Sequence, residues 1–425
     1  MQKYSDMDKA DLSKEFSAVK NEFEELKGLG LKLDMSRGKP GSDNLDLSND
    51  MLSLVSPGTD FTLETGADAR NYGGLDGIKS AKKLFSEILE MPEECIITGG
   101  NSSLTMMFDT VSQGMTHGLG GEPWLFEKNR KFLCPAPGYD RHFGITEHFG
   151  FELITIAMND DGPDMDAIEK YVKDPAVKGV WCVPKYSNPQ GITYSDEVVR
   201  RFAHLKPAAK DFHIFWDNAY VVHDLYDQGD KLLNLYDECV KSGNADMPII
   251  FTSTSKITFP GAGVAAMAAS PSVVEMLKGR IKYQSIGPDK LNQLRHTAFL
   301  PDLAAVKVQM SKHAAILRPK FDAVTDEFDR TLKGKGIAKW NKPNGGYFIS
   351  LFVMKGCAKR VGELCKELGL TLTSVGATYP YGKDPDDSNI RIAPSFPSLD
   401  DITTASKVLS CAVRYAALEK LTLGC

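Results

Sequence analysis

Lys256 lies in the string FTSTSKITFPGAGVAAMA, directly after the apolar run 248–252, with hydroxyls on both sides and glycines behind it. A lysine at the mouth of a buried strand, among small residues and off any charged face, is placed for covalent or proton-transfer chemistry rather than for solubility. Four other apolar runs end on chemically useful residues: CIITGGNSS from Cys95, KFLCPAPGYD from Lys131, GVWCVPKYSNPQG from Gly179 and FHIFWDNAY from Phe212. Ligands of an open parallel sheet bind beyond the carboxyl ends of its strands. Five such ends describe one site: Gly100, Asn101 and Ser102 at the first, then Tyr139, then Asn188, then Asp217 with Tyr220, and last Ser253, Ser255 and Lys256.

Each element has an ordinary reading when taken alone. The glycines and hydroxyls of TGGNSS precede LTMMFDTV, where free backbone N–H groups at a helix start bind anions; a plain N-cap fits equally. Tyr139 by itself is a half-buried aromatic, and Asn188 before a proline is turn chemistry. Asp217 resists such a reading, because a carboxylate ending the run FHIFW must be paired or hydrogen-bonded. The run GAGVAA matches the G-x-G-x-x-A form of a dinucleotide loop, but a strand-like segment follows it and the nearest acid, Glu275, comes too soon. No metal-ligand spacing, H-E-x-x-H or G-x-S-x-G string is present, so no metal is expected. Taken together and in order, the set is what pyridoxal 5'-phosphate needs: an amine for its aldehyde, a carboxylate for its ring nitrogen and an anion cradle for its phosphate.

These residues require a scaffold, and the pattern of the chain supplies one. With 425 residues and 42 % hydrophobic composition the chain is too long for one compact core, so two domains are expected. From about Arg70 to residue 275 helical and strand-like segments alternate, the signature of an α/β doubly wound sheet. The segment AGVAAMAAS follows the lysine loop so closely that it must run antiparallel to its predecessor. Leu12, Phe16, Val19, Phe23 and Leu26 mark an amphipathic helix that Gly28 and Gly30 close. A helical pattern begins after Gly73 and Gly74 and runs to Glu90, and a long one extends from about Asp289 to Leu332. Strands near Gly346 to Phe352 and Asn389 to Ile392, with flanking helices, form a mixed C-terminal part that the N-terminal helix joins.

Composition removes several functions. A net charge of −6 gives no basic face for nucleic acid. Eight scattered cysteines without C-x-x-C pairs fit a reducing compartment, not a disulfide framework. No apolar run approaches membrane-spanning length, and Asp6, Asp8, Asp11 and Glu15 leave no room for a signal peptide. A soluble cytoplasmic protein is expected.

Read in order, Tyr72 followed by Gly77, the Gly100-Asn101-Ser102 turn, PAPGY, SNPQG, DNAY and STSK resemble a class I, fold-type I pyridoxal-phosphate aminotransferase over nearly the whole chain, from about Arg37 to Ile392. The strings SRGKP, SIGPDK, STSKITFPGAGVA and NIRIAPSFP are most similar to the divergent bacterial aspartate aminotransferases called type Ic. The resemblance implies a seven-stranded, mostly parallel sheet in a large domain (61–305), with a smaller α+β domain formed by an N-terminal arm (1–60) and a C-terminal part (306–425). It also implies a homodimer with shared active sites.

The roles it implies are specific. Lys256 is the Schiff-base lysine and the base that moves the α-proton; Asp217 pairs with the pyridine nitrogen. Asn188 and Tyr220 reach the phenolic oxygen, Tyr139 stacks on the ring, and the turn at Gly100, Asn101 and Ser102 holds the phosphate with Ser253 and Ser255. Tyr72 comes from the second subunit. Arg391 takes the substrate α-carboxylate, near Gly38 and Asn188. The family's arginine shortly after the lysine is missing from GAGVA, and Lys282, Lys290 and Arg295 are candidates to replace it. The distal carboxylate of an acidic substrate needs another cation, for which Lys282, Arg37, Lys39 and Arg141 are candidates. The reaction implied is ping-pong transamination of an acidic amino acid, aspartate first, with 2-oxoglutarate. Another pyridoxal-phosphate enzyme, such as a β-lyase, uses the same scaffold; a cofactor-sensing regulator fits less well, because the residues before SRGKP are acidic and few.

Overall fold

Residues 2–423 are described by the computed structural model. Seven strands in the spatial order 96–98, 265–268, 248–253, 213–217, 177–182, 131–136 and 152–159 form the central sheet, and the two-residue strand Gly162–Pro163 extends its far edge. Pairing is parallel from Pro248–Ser253 through Glu152–Asn159, and Ala265–Ala268 runs against both of its neighbours. A single short turn, Pro260–Ala262, separates that strand from the lysine loop, so GAGVAA opens a strand and not a helix. The consequence is directional: Thr98, Ala136, Cys182, Asp217 and Ser253 all end on one edge of the sheet.

The strands Val177–Cys182, His213–Asp217, Pro248–Ser253 and Ala265–Ala268 are buried along their whole length, as a sheet covered by helices on both faces must be. Phe132, Trp181, Phe215 and Phe251 form a continuous aromatic row across four strands, with successive ring centroids 5.2, 4.8 and 6.0 Å apart. Aromatic rings at such separations add specific geometry to simple burial. The row lies just beneath the edge where the functional residues emerge.

Two helix boundaries differ from the sequence pattern for local reasons. Gly73, Gly74 and Gly77 all adopt positive φ, at 102°, 71° and 98°, so the chain enters its helix only at Lys79–Leu89. Gly77 has a further constraint, since a Cβ there would meet Thr98 Oγ1 at 1.6 Å. The stretch expected as one helix from Asp289 is two, Lys290–Phe299 and Leu303–Thr331, because Pro301 interrupts it and Asp302 caps the second by accepting from Ala305 N.

A second core joins the two ends of the chain. The helix Lys9–Gly28 buries Leu12, Phe16, Val19 and Phe23 against Leu399–Leu423, with Phe16 edge-on to Tyr415 at 5.2 Å. An antiparallel sheet of Ala338–Trp340, Ile349–Val353 and Asn389–Ile392 supports it, and Leu33–Asp34 pairs with Leu370–Thr371. No helix among the described residues is long and apolar enough to cross a membrane. Phe215 is fully buried at the middle of the aromatic row, so Phe215→Ala should cost about 3–5 kcal/mol, read as a lower midpoint in urea unfolding.

Candidate active site

Lys256 follows the strand Pro248–Ser253 in a tight turn, in which Ile257 N and Thr258 N both return to Thr254 O, at 2.9 Å each. Its Nζ sits 5.0 Å from the Tyr220 ring centroid and 5.6 Å from that of Tyr347. Burial pushes the Lys256 amine down from its ordinary value, and the negative charge of Asp217 pulls only partly the other way. Desolvation disfavours the ammonium, so the neutral amine that a nucleophile or base requires becomes accessible at lower pH.

Asp217 ends the neighbouring strand and is 3 % exposed. One of its oxygens, Oδ2, accepts from His142 Nε2 at 2.9 Å, while Oδ1 is buried without a partner. An unpartnered buried carboxylate oxygen is costly unless a ligand donor meets it. A protonated pyridine nitrogen is such a donor, so the site passes this test for pyridoxal phosphate. The aromatic row positions the pair, because His142 stacks on Trp181 at 4.5 Å and 12°.

The other strand ends converge on the same place. Tyr139 packs edge-on to His142 at 4.9 Å, and burial raises its hydroxyl to about 12, helped by Asp217 and Asp140. Tyr220 is buried, and desolvation, with Tyr139 and Asp217 nearby, pushes its hydroxyl well up. Asn188 is 5 % exposed, and its Oδ1 accepts from Arg391 Nη1 at 3.4 Å. Its loop is tied to that of Tyr220 through Lys185, which pairs with Asp224 at 2.9 Å and donates to Val221 O at 3.0 Å.

A helix start with uncapped N–H groups lies beside the lysine. Ser102 is the N-cap of Ser103–His117 and makes no side-chain cap bond, so the first-turn N–H groups have no side-chain oxygen on them. Ser255 Oγ donates to Asn101 O at 3.2 Å and Ser253 Oγ donates to Ser255 Oγ at 3.0 Å, which locks the lysine loop to the Gly100-Asn101-Ser102 turn. At the position without the usual arginine, Val264 is buried and Asn292 Nδ2 donates to Gly263 O at 2.8 Å. Of the cations considered as replacements, Lys290 donates to Gly73 O at 2.8 Å and Lys282 is exposed; Arg295 keeps a buried Nε without a partner, next to Asn292.

Arg391 faces the cleft from the antiparallel sheet. Its guanidinium lies 5.1 Å over the Phe348 ring, Nε donates to Thr373 Oγ1 at 3.4 Å, and Nη1 donates to Asp140 Oδ1 at 2.8 Å. Gly38 touches the other part of that ring: a Cβ there would come within 2.1 Å of Phe348 Cζ. Only glycine lets the backbone of SRGKP approach so closely.

Several residues singled out from the sequence stay outside this cluster within one chain. Tyr72 is 82 % exposed, beside Gly73, and Gly287 packs against Gly73 O from the loop that follows Tyr283 and Ile286. Arg37 pairs with Asp34 at 3.4 Å, Lys39 lies over Phe396 at 4.2 Å, Lys282 over Tyr283 at 5.1 Å, and all three, like Arg141, are exposed. Conversely, sequence reasoning did not find His142, Asp140, Tyr347 or Phe348. It also missed two buried histidines that brace the lysine loop. His313 Nε2 donates to Ile257 O at 3.0 Å while its Nδ1 accepts from Asn44 Nδ2 at 3.1 Å, and His296 Nε2 meets Thr258 Oγ1 at 2.9 Å.

Comparisons with known proteins bear on the family and the fold. A family profile described as "Aspartate amino-transferase" matches residues 5–424. The aspartate aminotransferase of Corynebacterium glutamicum is 45 % identical over 403 residues, covering 94 % of this chain and 93 % of its own. The solved structure of an aspartate transaminase from the same organism superposes with a TM-score of 0.95 at 44 % identity, over 97 % of this chain and 98 % of that one. The α-aminoadipate aminotransferase of Thermus thermophilus, solved with N-(5'-phosphopyridoxyl)-L-leucine, shares the fold at a TM-score of 0.71 and 18 % identity, over 92 % and 93 % of the two chains.

Two outcomes follow from the electrostatics. Because Asp217 raises the Lys256 amine against the larger effect of burial, Asp217→Asn should lower it further. In cofactor-free protein, the pH dependence of Lys256 labelling by an amine-directed electrophile should then move to lower pH; movement upward would refute the arrangement. Burial holds His296 at about 4 and His313 below its ordinary 6.5, so the folded protein binds fewer protons than the unfolded chain. Their contribution is complete above about pH 6.5 and is lost as pH falls from there toward about 4. Thermal melts across that window should show stability declining with acid, less steeply in His313→Gln.

Proposed function

The chain belongs to the aspartate amino-transferase family, and we propose that it moves the amino group between aspartate and 2-oxoglutarate by a ping-pong route, with pyridoxal phosphate carried on Lys256. The observation that carries this reading is the buried, unpartnered Oδ1 of Asp217 in one cleft with a desolvated lysine and an arginine. When bound, the cofactor supplies an electron sink that makes a substrate α-hydrogen acidic.

The chain's own groups do the rest. Asp217 Oδ1 would accept from the ring nitrogen and keep it protonated, while His142 holds the other oxygen. Tyr139 would close one ring face, and Asn188 and Tyr220 would donate to the phenolic oxygen. The first-turn N–H groups of Ser103–His117, with Ser253 and Ser255, would hold the phosphate at a helix N-terminus. Arg295 is the cation assigned to replace the missing arginine. Arg391 clamps the α-carboxylate on its planar fork, and Gly38 lets Phe348 lie flat beneath it. Lys256 Nζ would hold the cofactor's aldehyde carbon and would serve as the base for the substrate Cα proton; burial, which lowers its pKa, favours the neutral amine that this role needs.

Substrate preference for aspartate rests on the Corynebacterium relative and on the need for a second cation. Within one chain no buried cation faces that end of the cleft among Lys282, Arg37, Lys39 and Arg141. A homodimer accounts for this. Tyr72, Tyr283 and Ile286 are 82, 85 and 63 % exposed around the Gly73–Gly287 contact, an apolar patch of the kind that marks an interface. Through it a second copy would deliver Tyr72 to the phosphate and Lys282 to the distal carboxylate. Cysteine usage that fits a reducing compartment supports a cytoplasmic location for this enzyme.

The decisive measurement is a half-reaction screen on the holoprotein. Aspartate and glutamate should each convert its visible spectrum to that of the amine form, and release oxaloacetate and 2-oxoglutarate respectively. Pyruvate with free ammonia, released from an amino acid that carries a leaving group on Cβ such as cysteine, would instead identify a lyase. Lys256→Ala should form no borohydride-reducible adduct and lose turnover by at least about a thousandfold; ordinary turnover in that variant would remove the mechanism.

A further inference from the structure

Arg391 is already engaged with a carboxylate of this chain. Its side chain is 10 % exposed and Nη1 donates to Asp140 Oδ1 at 2.8 Å and to Asn188 Oδ1 at 3.4 Å, while Nε donates to Thr373 Oγ1. A guanidinium has five N–H donors, two of them on Nη1. Both Nη1 donors are therefore occupied, and an end-on bidentate clamp takes one hydrogen from each terminal nitrogen. A substrate carboxylate can complete such a clamp only by taking the place of Asp140 or of Asn188. Asn188 is 5 % exposed and fixed in its loop; the Asp140 side chain is 33 % exposed and opens the helix Asp140–His148.

We propose that Asp140 is an internal substitute for the substrate's α-carboxylate, which occupies Arg391 between turnovers and lowers the affinity of every carboxylate the enzyme binds. The inference rests on the assignment of Arg391 to the α-carboxylate. Position makes the exchange cheap for the protein. As the first residue of a helix, Asp140 keeps favourable backbone N–H groups and the positive end of the helix dipole when Arg391 turns to the substrate. A part-exposed carboxylate can also rehydrate on release, so no buried charge is stranded.

The benefit is kinetic. In a ping-pong transamination the same arginine must receive and release a carboxylate in both half-reactions, and binding that is equally strong for substrate and product slows departure without helping the chemistry. Asp140 weakens both in equal measure. It is a positioning residue, since it acts through Arg391 and does not touch the reacting atoms.

The test uses the holoenzyme and two inhibitors, maleate as a dicarboxylate and butyrate as a monocarboxylate. In D140N the inhibition constants of both should fall by about five- to tenfold, and in D140E, which keeps the charge, both should stay at wild-type values. A merely structural role for Asp140 would weaken binding instead, and either unchanged or weaker binding in D140N overturns the proposal. Tightening confined to maleate would place Asp140 against the distal carboxylate and also overturns it. In R391Q both inhibitors should bind poorly and D140N should add nothing; a tightening that persists there disproves action through Arg391. Should R391Q bind both inhibitors as well as wild type does, the assignment of Arg391 to the α-carboxylate fails, separately from the role of Asp140.

Discussion

A lysine has to lose its charge to act as a nucleophile or base, and this fold makes burial rather than a nearby cation the means. Lys256 is walled by Tyr220 and Tyr347, and the one negative group that opposes the shift, Asp217, acts from the neighbouring strand. The balance is sensitive to distance. Asp217 near enough to pair with Nζ would restore the ammonium; here one of its oxygens is held by His142 instead, and the other is left for a ligand. The parallel register that sets Asp217 opposite Phe251 fixes this spacing. Sheet geometry and amine chemistry are thus the same constraint.

Much of this was readable from the chain because strand ends advertise themselves. An apolar run that stops at a polar residue marks both a burial boundary and an edge, and five such boundaries gave the sheet its direction. The reversal of Ala265–Ala268 followed from the short connection alone. The boundaries that were misplaced had local causes outside hydrophobic periodicity: three positive-φ glycines delayed one helix to Lys79, and Pro301 with the cap at Asp302 split another. The contacts that complete the site were illegible for a different reason. His142 reaches Asp217 across 75 residues, Asp140 reaches Arg391 across 251, and His313 meets Asn44 across 269. Nothing in the neighbourhood of His142, on a helix with ordinary amphipathic spacing, marks it as the partner of a buried acid.

The cleft is built from two bodies of packing that meet at a few residues. Arg391 belongs to the antiparallel sheet, yet its immediate partners are Asp140 and Asn188 at the edge of the central one. Phe348 sits between Arg391 and Gly38, so the SRGKP segment and the arginine share one aromatic surface. His313 links the same N-terminal segment, through Asn44, to the peptide just after Lys256. A shift of that segment is thereby felt at both the cation and the amine, although neither touches it directly.

The pairing of the first long helix with the last carries a consequence for biosynthesis. Lys9–Gly28 packs most heavily against Leu399–Leu423, the last helix of the described chain to be synthesised. Phe16 and Phe23 must therefore wait, unsheltered, while the ribosome translates everything between, and at ~5–20 residues per second that interval lasts tens of seconds. During it the apolar face of the nascent amino-terminal segment is a natural client for a holdase chaperone.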